Sequence, residues 1–269
     1  MIVFRHAIFL VALYLGFAVM AWLIGERVIF QPHKSSYRDG ADILKLATAS
    51  GRRISAVHLP NPTAQYTLLV SHGNAEDLGD DLPWLDELRA AGFSVFSFDY
   101  EGYGTSEGRP SEAAAYEDEQ AAYDYLLQKV GLTPDRIVVY GRSVGTGPAV
   151  WLASRNPVAG LVLQSPFLSA LRVVTRITIF PFDYFPSYKR IGDVRCPVLV
   201  MHGTSDEVIG FHHGKAMYAL AREPKRKLWV AGAHHNDFNQ VGHDQYLQVL
   251  QQFADGLKAS PGRSAQQAR

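Results

Sequence analysis

With 269 residues the chain has the length of one large α/β domain, and a single core is the economical reading. Its 26 Lys+Arg balance 26 Asp+Glu, so there is no polybasic character to recruit nucleic acid. The single cysteine, Cys196, excludes an intramolecular disulfide framework and a cysteine-rich metal site.

The first predicted element is AIFLVALYLGFAVMAWLIG, residues 7–25, which carries no charge. As a helix it would reach about 28 Å, close to the hydrocarbon thickness of a bilayer. A cleavable signal peptide is the rival, with Arg5 as its n-region and Gly16-Phe17-Ala18 as a small-x-small site. The apolar run continues through Trp22, Leu23 and Ile24, long for an h-region, which favours an anchor. Only Arg5 precedes the span among arginines and lysines, whereas Arg27, Lys34 and Arg38 follow it; the positive-inside rule then puts the rest of the chain on the cytoplasmic side. This divides the chain into an anchor (1–26), a folded domain (27–257) and a small, polar, disordered tail (258–269).

Next, LKLATASGRRISAVHL (44–59) reads as two short strands turning at Ser50-Gly51. The short apolar runs TLLVS (67–71), SVFSFD (94–99), RIVVY (136–140), GLVLQ (160–164), CPVLVM (196–201) and KLWVA (227–231) read as buried strands, because they lack polar alternation. Between them lie helical segments. One ends at Gly92, another opens at Ser111 as N-cap and stops before Gly131, and the last carries Tyr246, Leu250, Phe253 and Leu257 as one apolar stripe. Repeated strand–helix units predict an α/β fold with a mostly parallel sheet covered by helices on both faces. Over residues 166–192 the alternation lapses into aromatic residues and prolines; this segment is either a small cap or lid, or an ordinary connection packed on the sheet.

The chemistry begins where RIVVY runs into GRSVG (141–145), the G-x-S-x-G spacing of a nucleophile elbow. A helix, TGPAVWLASR, follows, so Ser143 would sit where amides and the positive dipole end face a developing negative charge. The bland alternative is a hydroxyl that merely caps that helix. A nucleophilic serine needs a base, and the base an orienting carboxylate, both expected at the ends of later strands. HGTSDEV offers Asp206, with Glu207 as its adjacent rival; GAHHND offers His234 and His235, while Asp237 is read as capping the helix that follows. One oxyanion donor would be the amide of Val144. The second falls in SHGNAEDLG, where the site needs backbone, so His72 is read as stabilising the turn. Neighbouring side chains point in different directions, so only one of the paired histidines can reach Ser143. Adjacent histidines rarely converge on one ion, and no H-E-x-x-H stretch accompanies them.

Together ERVIFQP, SHGNAEDLG, FDYEGYGTSEG, YGRSVGTGPAVWLA, SPF, CPVLVMHGTSDEVI and GAHHND resemble the membrane-anchored α/β-hydrolases that include the eukaryotic α/β-hydrolase-domain-containing depalmitoylases and their bacterial relatives. The resemblance runs from Glu26 to about residue 255 and implies the α/β-hydrolase fold. It implies a Ser143, Asp206, His235 triad, an oxyanion hole from the Asn74 and Val144 amides, and neither a metal nor an organic cofactor. The expected function is a serine hydrolase cleaving an ester or thioester of a small-molecule, lipid or acylated-protein substrate through an acyl-enzyme. Closely similar domains are classed with serine aminopeptidases, which keeps a peptidase as the alternative; a non-catalytic scaffold at the membrane is the other. One departure stands out: the related pattern is G-x-G-H-N, and this chain places His234 where a glycine would be, in a position that could have required a positive φ.

Overall fold

A computed structural model describes residues 2–175 and 178–258. Eight strands form one sheet: β1 (Leu44–Ala47), β2 (Arg53–Leu59), β3 (Thr67–Ser71), β4 (Ser94–Phe98), β5 (Ile137–Arg142), β6 (Gly160–Gln164), β7 (Val198–Gly203) and β8 (Lys225–Val230), in the order β1-β2-β4-β3-β5-β6-β7-β8. The first two pairings, β1 with β2 and β2 with β4, are antiparallel, and every other is parallel. The hairpin turns at Gly51, which takes φ 80° as its position in the turn requires.

Alternate side chains of the buried strands feed two cores, one on each face of the sheet. Leu69, Val139, Leu161 and Val200 pack beneath α3 (Glu112–Tyr125), α4 (Thr146–Arg155) and α7 (Phe211–Leu220). Leu68, Val138, Tyr140 and Leu199 pack beneath α2 (Leu78–Ala90) and α9 (His243–Lys258). The apolar stripe of α9 is the buried one, with Tyr246, Leu250 and Phe253 all in this second core. Ser111 caps α3 by accepting from the Ala114 amide at 3.0 Å, as its sequence position predicts. The tail expected over 258–269 lies outside the described residues except for Lys258, which ends α9.

The N-terminal element, α1 (Ile2–Ile29), continues past Glu26 to Ile29. Within its stretch Phe4–Ile29 an 18-residue window has a mean hydropathy of 2.5 and is almost wholly unburied, so the helix is long and apolar enough to cross a membrane. One side touches the body: Tyr14 donates to the Ile179 carbonyl at 2.8 Å, and Tyr184 donates to the Trp22 carbonyl at 2.8 Å. Directly after the helix Phe30 enters the core, 3 % exposed. Within 166–192 the described residues include two short helices, α5 (Ala170–Thr175) and α6 (Ser187–Arg190), and bury Phe167, Phe180, Tyr184 and Phe185.

Parallel pairing sets up the site, because it aligns strand ends. Ser71 of β3 lies opposite Gly141 of β5, and Gly203 of β7 opposite Val230 of β8, so the loops leaving these strands emerge along one edge.

Candidate active site

β5 ends at Arg142 and the chain turns on Ser143, whose φ of 52° lies in the left-handed region that residues other than glycine seldom enter. The Thr146 hydroxyl donates to the Ser143 carbonyl at 2.7 Å and holds the turn where it joins α4. Neither glycine of G-x-S-x-G has a positive φ. What they provide is space. A Cβ on Gly141 would come 2.6 Å from the Gly145 carbonyl oxygen; one on Gly145 would run into the Ser71 carbonyl and lie 2.7 Å from that of His72. The serine therefore carries the conformational strain, and the glycines let the elbow press against the end of β3.

Asp206 follows β7 and His235 lies in the loop after β8. Ser143 Oγ is 3.0 Å from His235 Nε2, and His235 Nδ1 is 2.8 Å from Asp206 Oδ2. The other carboxylate oxygen of Asp206 accepts from the amides of Val208 at 3.0 Å and Ile209 at 2.7 Å. Burial works against its charge, but hydrogen bonds from His202 and His235 outweigh burial and hold this carboxyl below the ordinary carboxylate range. An ionised Asp206 can only accept, which assigns the His235 proton to Nδ1 and leaves Nε2 free to accept from the serine.

The second histidine faces elsewhere. His234 Nδ1 is 2.9 Å from Glu207 Oε2, and both side chains are more than half exposed. Glu207, the sequence rival of Asp206, is thus the partner of the other imidazole. The concern over a lost glycine also resolves, since His234 is not among the positive-φ residues and the left-handed position of this loop belongs to Gly232, at φ 75°. Asp237 corrects its reading as a cap: it stands at the N-cap position of α8 (Phe238–Val241) without a side-chain capping bond, and its carboxylate accepts instead from the His234 amide at 2.6 Å.

The loop after β3 comes up beside the serine: a Cβ on Gly73 would lie 3.6 Å from Ser143 Cβ. Asn74 follows Gly73 in this loop, and Val144 follows Ser143 in the elbow, so both expected donors belong to segments that meet beside Ser143. His72 is fully buried beneath the loop, donates from Nδ1 to the Gly73 carbonyl at 2.7 Å, and has Nε2 3.4 Å from Asp99. Burial opposes its charge, yet the Asp99 carboxylate prevails and raises it to about 9. It stabilises the turn, as expected.

Two supports escaped the sequence reading. His202 Nε2 is 3.3 Å from Asp206 Oδ2 and donates to the Ile209 carbonyl at 2.7 Å, bracing the aspartate loop; only its place four residues before Asp206 hinted at this. Arg142, the variable residue of the elbow motif, pairs with Glu76 at 2.9 Å and Asp81 at 3.5 Å, while Glu76 also accepts from the Gly73 amide. The elbow and the facing loop are thereby tied by one ion-pair network. Beside His235 opens a cleft of about 550 Å³ lined by Trp84, Arg142, Gln164, Asn236 and Phe238 among others.

Residues 62–180 match the hydrolase family described as serine aminopeptidase, S33. The alpha/beta hydrolase domain-containing protein 17B of Xenopus tropicalis is 41 % identical over 234 residues, 86 % of this chain and 80 % of that protein. Protein 17C of Xenopus laevis is 44 % identical over 235 residues, 86 % of this chain and 74 % of that one. Among solved structures an esterase from Pyrococcus furiosus superposes with a TM-score of 0.72 at 17 % identity, over 86 % of this chain and 98 % of its own, a likeness of fold. The sequence relatives and the family match make the chain a hydrolase, a member of the α/β-hydrolase superfamily belonging with the alpha/beta hydrolase domain-containing 17 proteins.

Proposed function

We propose that this chain is a membrane-tethered serine hydrolase that cleaves an ester or thioester through an acyl-enzyme on Ser143. The observation that carries the proposal is the relay of 3.0 Å from Ser143 Oγ to His235 Nε2 and 2.8 Å from His235 Nδ1 to Asp206. Ser143 attacks the acyl carbonyl while His235 takes its proton at Nε2; Asp206 keeps the imidazole oriented and balances its positive charge. The amides of Asn74 and Val144 hold the oxyanion. His235 then hands the proton to the departing alcohol or thiol, and water, activated by the same nitrogen, releases the acid.

The length and hydropathy of α1 support a single-pass anchor, with the catalytic part on the cytoplasmic side by the distribution of arginine and lysine. A tether of this kind holds the site at a lipid surface, and the aromatic segment 166–192 beside α1 offers shelter for an acyl chain; both favour a lipid or acylated protein as substrate. The description of the matching family favours a second reading, an aminopeptidase. An aminopeptidase needs a carboxylate free to meet the substrate amine. In the cleft, Glu76 and Asp81 are engaged by Arg142, Asp80 lies 2.9 Å from His33 Nε2, and Glu87 accepts from Tyr246 at 2.7 Å, so the ester reading is preferred. The test is hydrolysis of acyl esters and acyl thioesters of graded chain length beside an aminoacyl amide. Turnover of the acyl series that disappears in Ser143→Ala supports the proposal; turnover of the amide alone overturns it, and no turnover by any substrate leaves the scaffold reading in its place.

A further inference from the structure

One side chain fastens the exit of α1 to the loop beside the serine. Asn74 Nδ2 donates to the Ile29 carbonyl at 2.7 Å, and Asn74 Oδ1 accepts from the Gln31 amide at 2.9 Å. Ile29 is the last residue of the helix, so its carbonyl is one of those that end without a partner inside the helix. The Asn74 amide thus satisfies one backbone group on each side of Phe30. Phe30 itself is set among Tyr100, Tyr103 and Phe185, with ring centroids 6.5, 6.4 and 5.8 Å away. The Tyr103 hydroxyl closes the arrangement, donating to Asn74 Oδ1 at 2.6 Å and accepting from the Gln31 amide at 3.0 Å.

On its other side the loop is held by Glu76 through the Gly73 amide. Between these two holds Ala75 takes φ 56°, a left-handed conformation that needs support from its surroundings. We propose that the Asn74 side chain, with Tyr103, is a positioning device that sets the oxyanion-binding amide against the exit of the N-terminal helix, so that residues 29–31 form part of the catalytic geometry. The inference rests on the reading of the Asn74 amide as an oxyanion donor. An oxyanion donor is effective only within about 2.7–3.1 Å of the developing charge, and a displacement of about 1 Å can cost on the order of 100-fold in rate. Asparagine suits the task because one short group offers a donor and an acceptor at once. Alanine offers neither, and an ionised aspartate cannot donate to Ile29.

The test uses the full chain in detergent micelles, with Asn74→Ala and Tyr103→Phe compared with the parent on a soluble short-chain ester. Turnover is normalised to the active sites titrated, and binding of a trifluoromethyl ketone, whose serine adduct carries an oxyanion, is measured alongside. The expected result for Asn74→Ala is a kcat lower by about 10- to 100-fold with KM within about twofold, and ketone affinity weakened in proportion to kcat. Tyr103→Phe, which keeps the Asn74 amide intact, shifts kcat and ketone affinity in the same direction by a smaller factor. A kcat per titrated site equal to the parent's in either variant overturns the inference, as does a loss that appears only in KM or only in the amount of folded protein. If Ser143→Ala is inactive while Asn74→Ala keeps the parent's kcat, the positioning role alone fails; if the parent has no Ser143-dependent turnover, the hydrolase reading fails and takes the inference with it.

Discussion

Replacing Asp206 by asparagine changes one atom of the proposed relay and very little volume. The Val208 and Ile209 amides, at 3.0 and 2.7 Å, require an acceptor at the Oδ1 position, so the asparagine carbonyl stays there and its NH2 falls in the place of Oδ2. That group then faces His235 Nδ1 at the 2.8 Å now spanned by the hydrogen bond to the carboxylate. Donor cannot meet donor, so the imidazole moves its proton to Nε2 and presents N–H to Ser143 Oγ, where it has to accept. Loss of the correct tautomer in a comparable relay lowers kcat by about 10⁴-fold, equivalent to about 5.4 kcal/mol of barrier. Stability carries a second signature. Asp206 titrates below its ordinary value of 3.8 in the fold, so its contribution is fully present above that pH and lost as pH falls through the folded value; the stability gap between parent and Asp206→Asn therefore narrows on acidification. Steady-state ester hydrolysis per titrated site, with urea unfolding at neutral and acid pH, reads both. An Asp206→Asn protein within tenfold of the parent kcat would refute the reasoning, and a Glu207→Gln protein with the larger loss would transfer the orienting role to its neighbour.

The paired histidines separate in the same assay: His235→Ala is expected to be nearly inactive, His234→Gly to keep most activity, and a chelator to change neither, whereas the reverse pattern would mean that the loop acts through His234. Burial raises Glu119 to about 8 against the opposing hydrogen bond from Ser71, so the folded chain keeps a proton that the unfolded chain releases near 4.5; stability is greatest below that value and is lost as pH rises toward 8. Glu119→Gln should therefore flatten the profile, with its unfolding midpoint gaining on the parent more at pH 9 than at pH 5; an equal offset at both would show that the carboxyl does not titrate as its burial dictates. Full-length protein should stay with membranes through carbonate washing, while a chain beginning at Glu26, which retains Phe30 and Gln31, should be soluble and still hydrolyse a short ester. Release of the full-length chain by carbonate, or a mature N-terminus near Val19, would contradict the anchor.

The strands were legible because a strand buried on both faces writes itself as an unbroken apolar run: Thr67–Ser71 and Gly160–Gln164 match their predicted limits. The paired histidines were legible only through resemblance, since adjacent imidazoles cannot be told apart by composition and are separated in the fold by the carboxylates they face. The supports were hidden for a related reason. His202 reads as one more residue at the end of β7 until the turn after that strand folds Asp206 back onto it, and Arg142 as the arbitrary residue of its motif until the parallel pairing of β3 and β5 brings Glu76 within reach. The hold of Asn74 on residues 29 and 31 joins positions more than forty apart in sequence, and no local pattern predicts it.

Ser143 as the nucleophile is the central element of the proposed mechanism, and locating the covalent adduct tests it most directly. Full-length protein is treated with a fluorophosphonate, digested, and the modified residue identified by mass spectrometry, with Ser143→Ala beside it. The expected result is one phosphonyl group on the peptide that contains Ser143, formed in step with the loss of ester turnover and absent from the variant. Label on another residue, or full labelling and turnover retained by Ser143→Ala, would contradict the proposed mechanism.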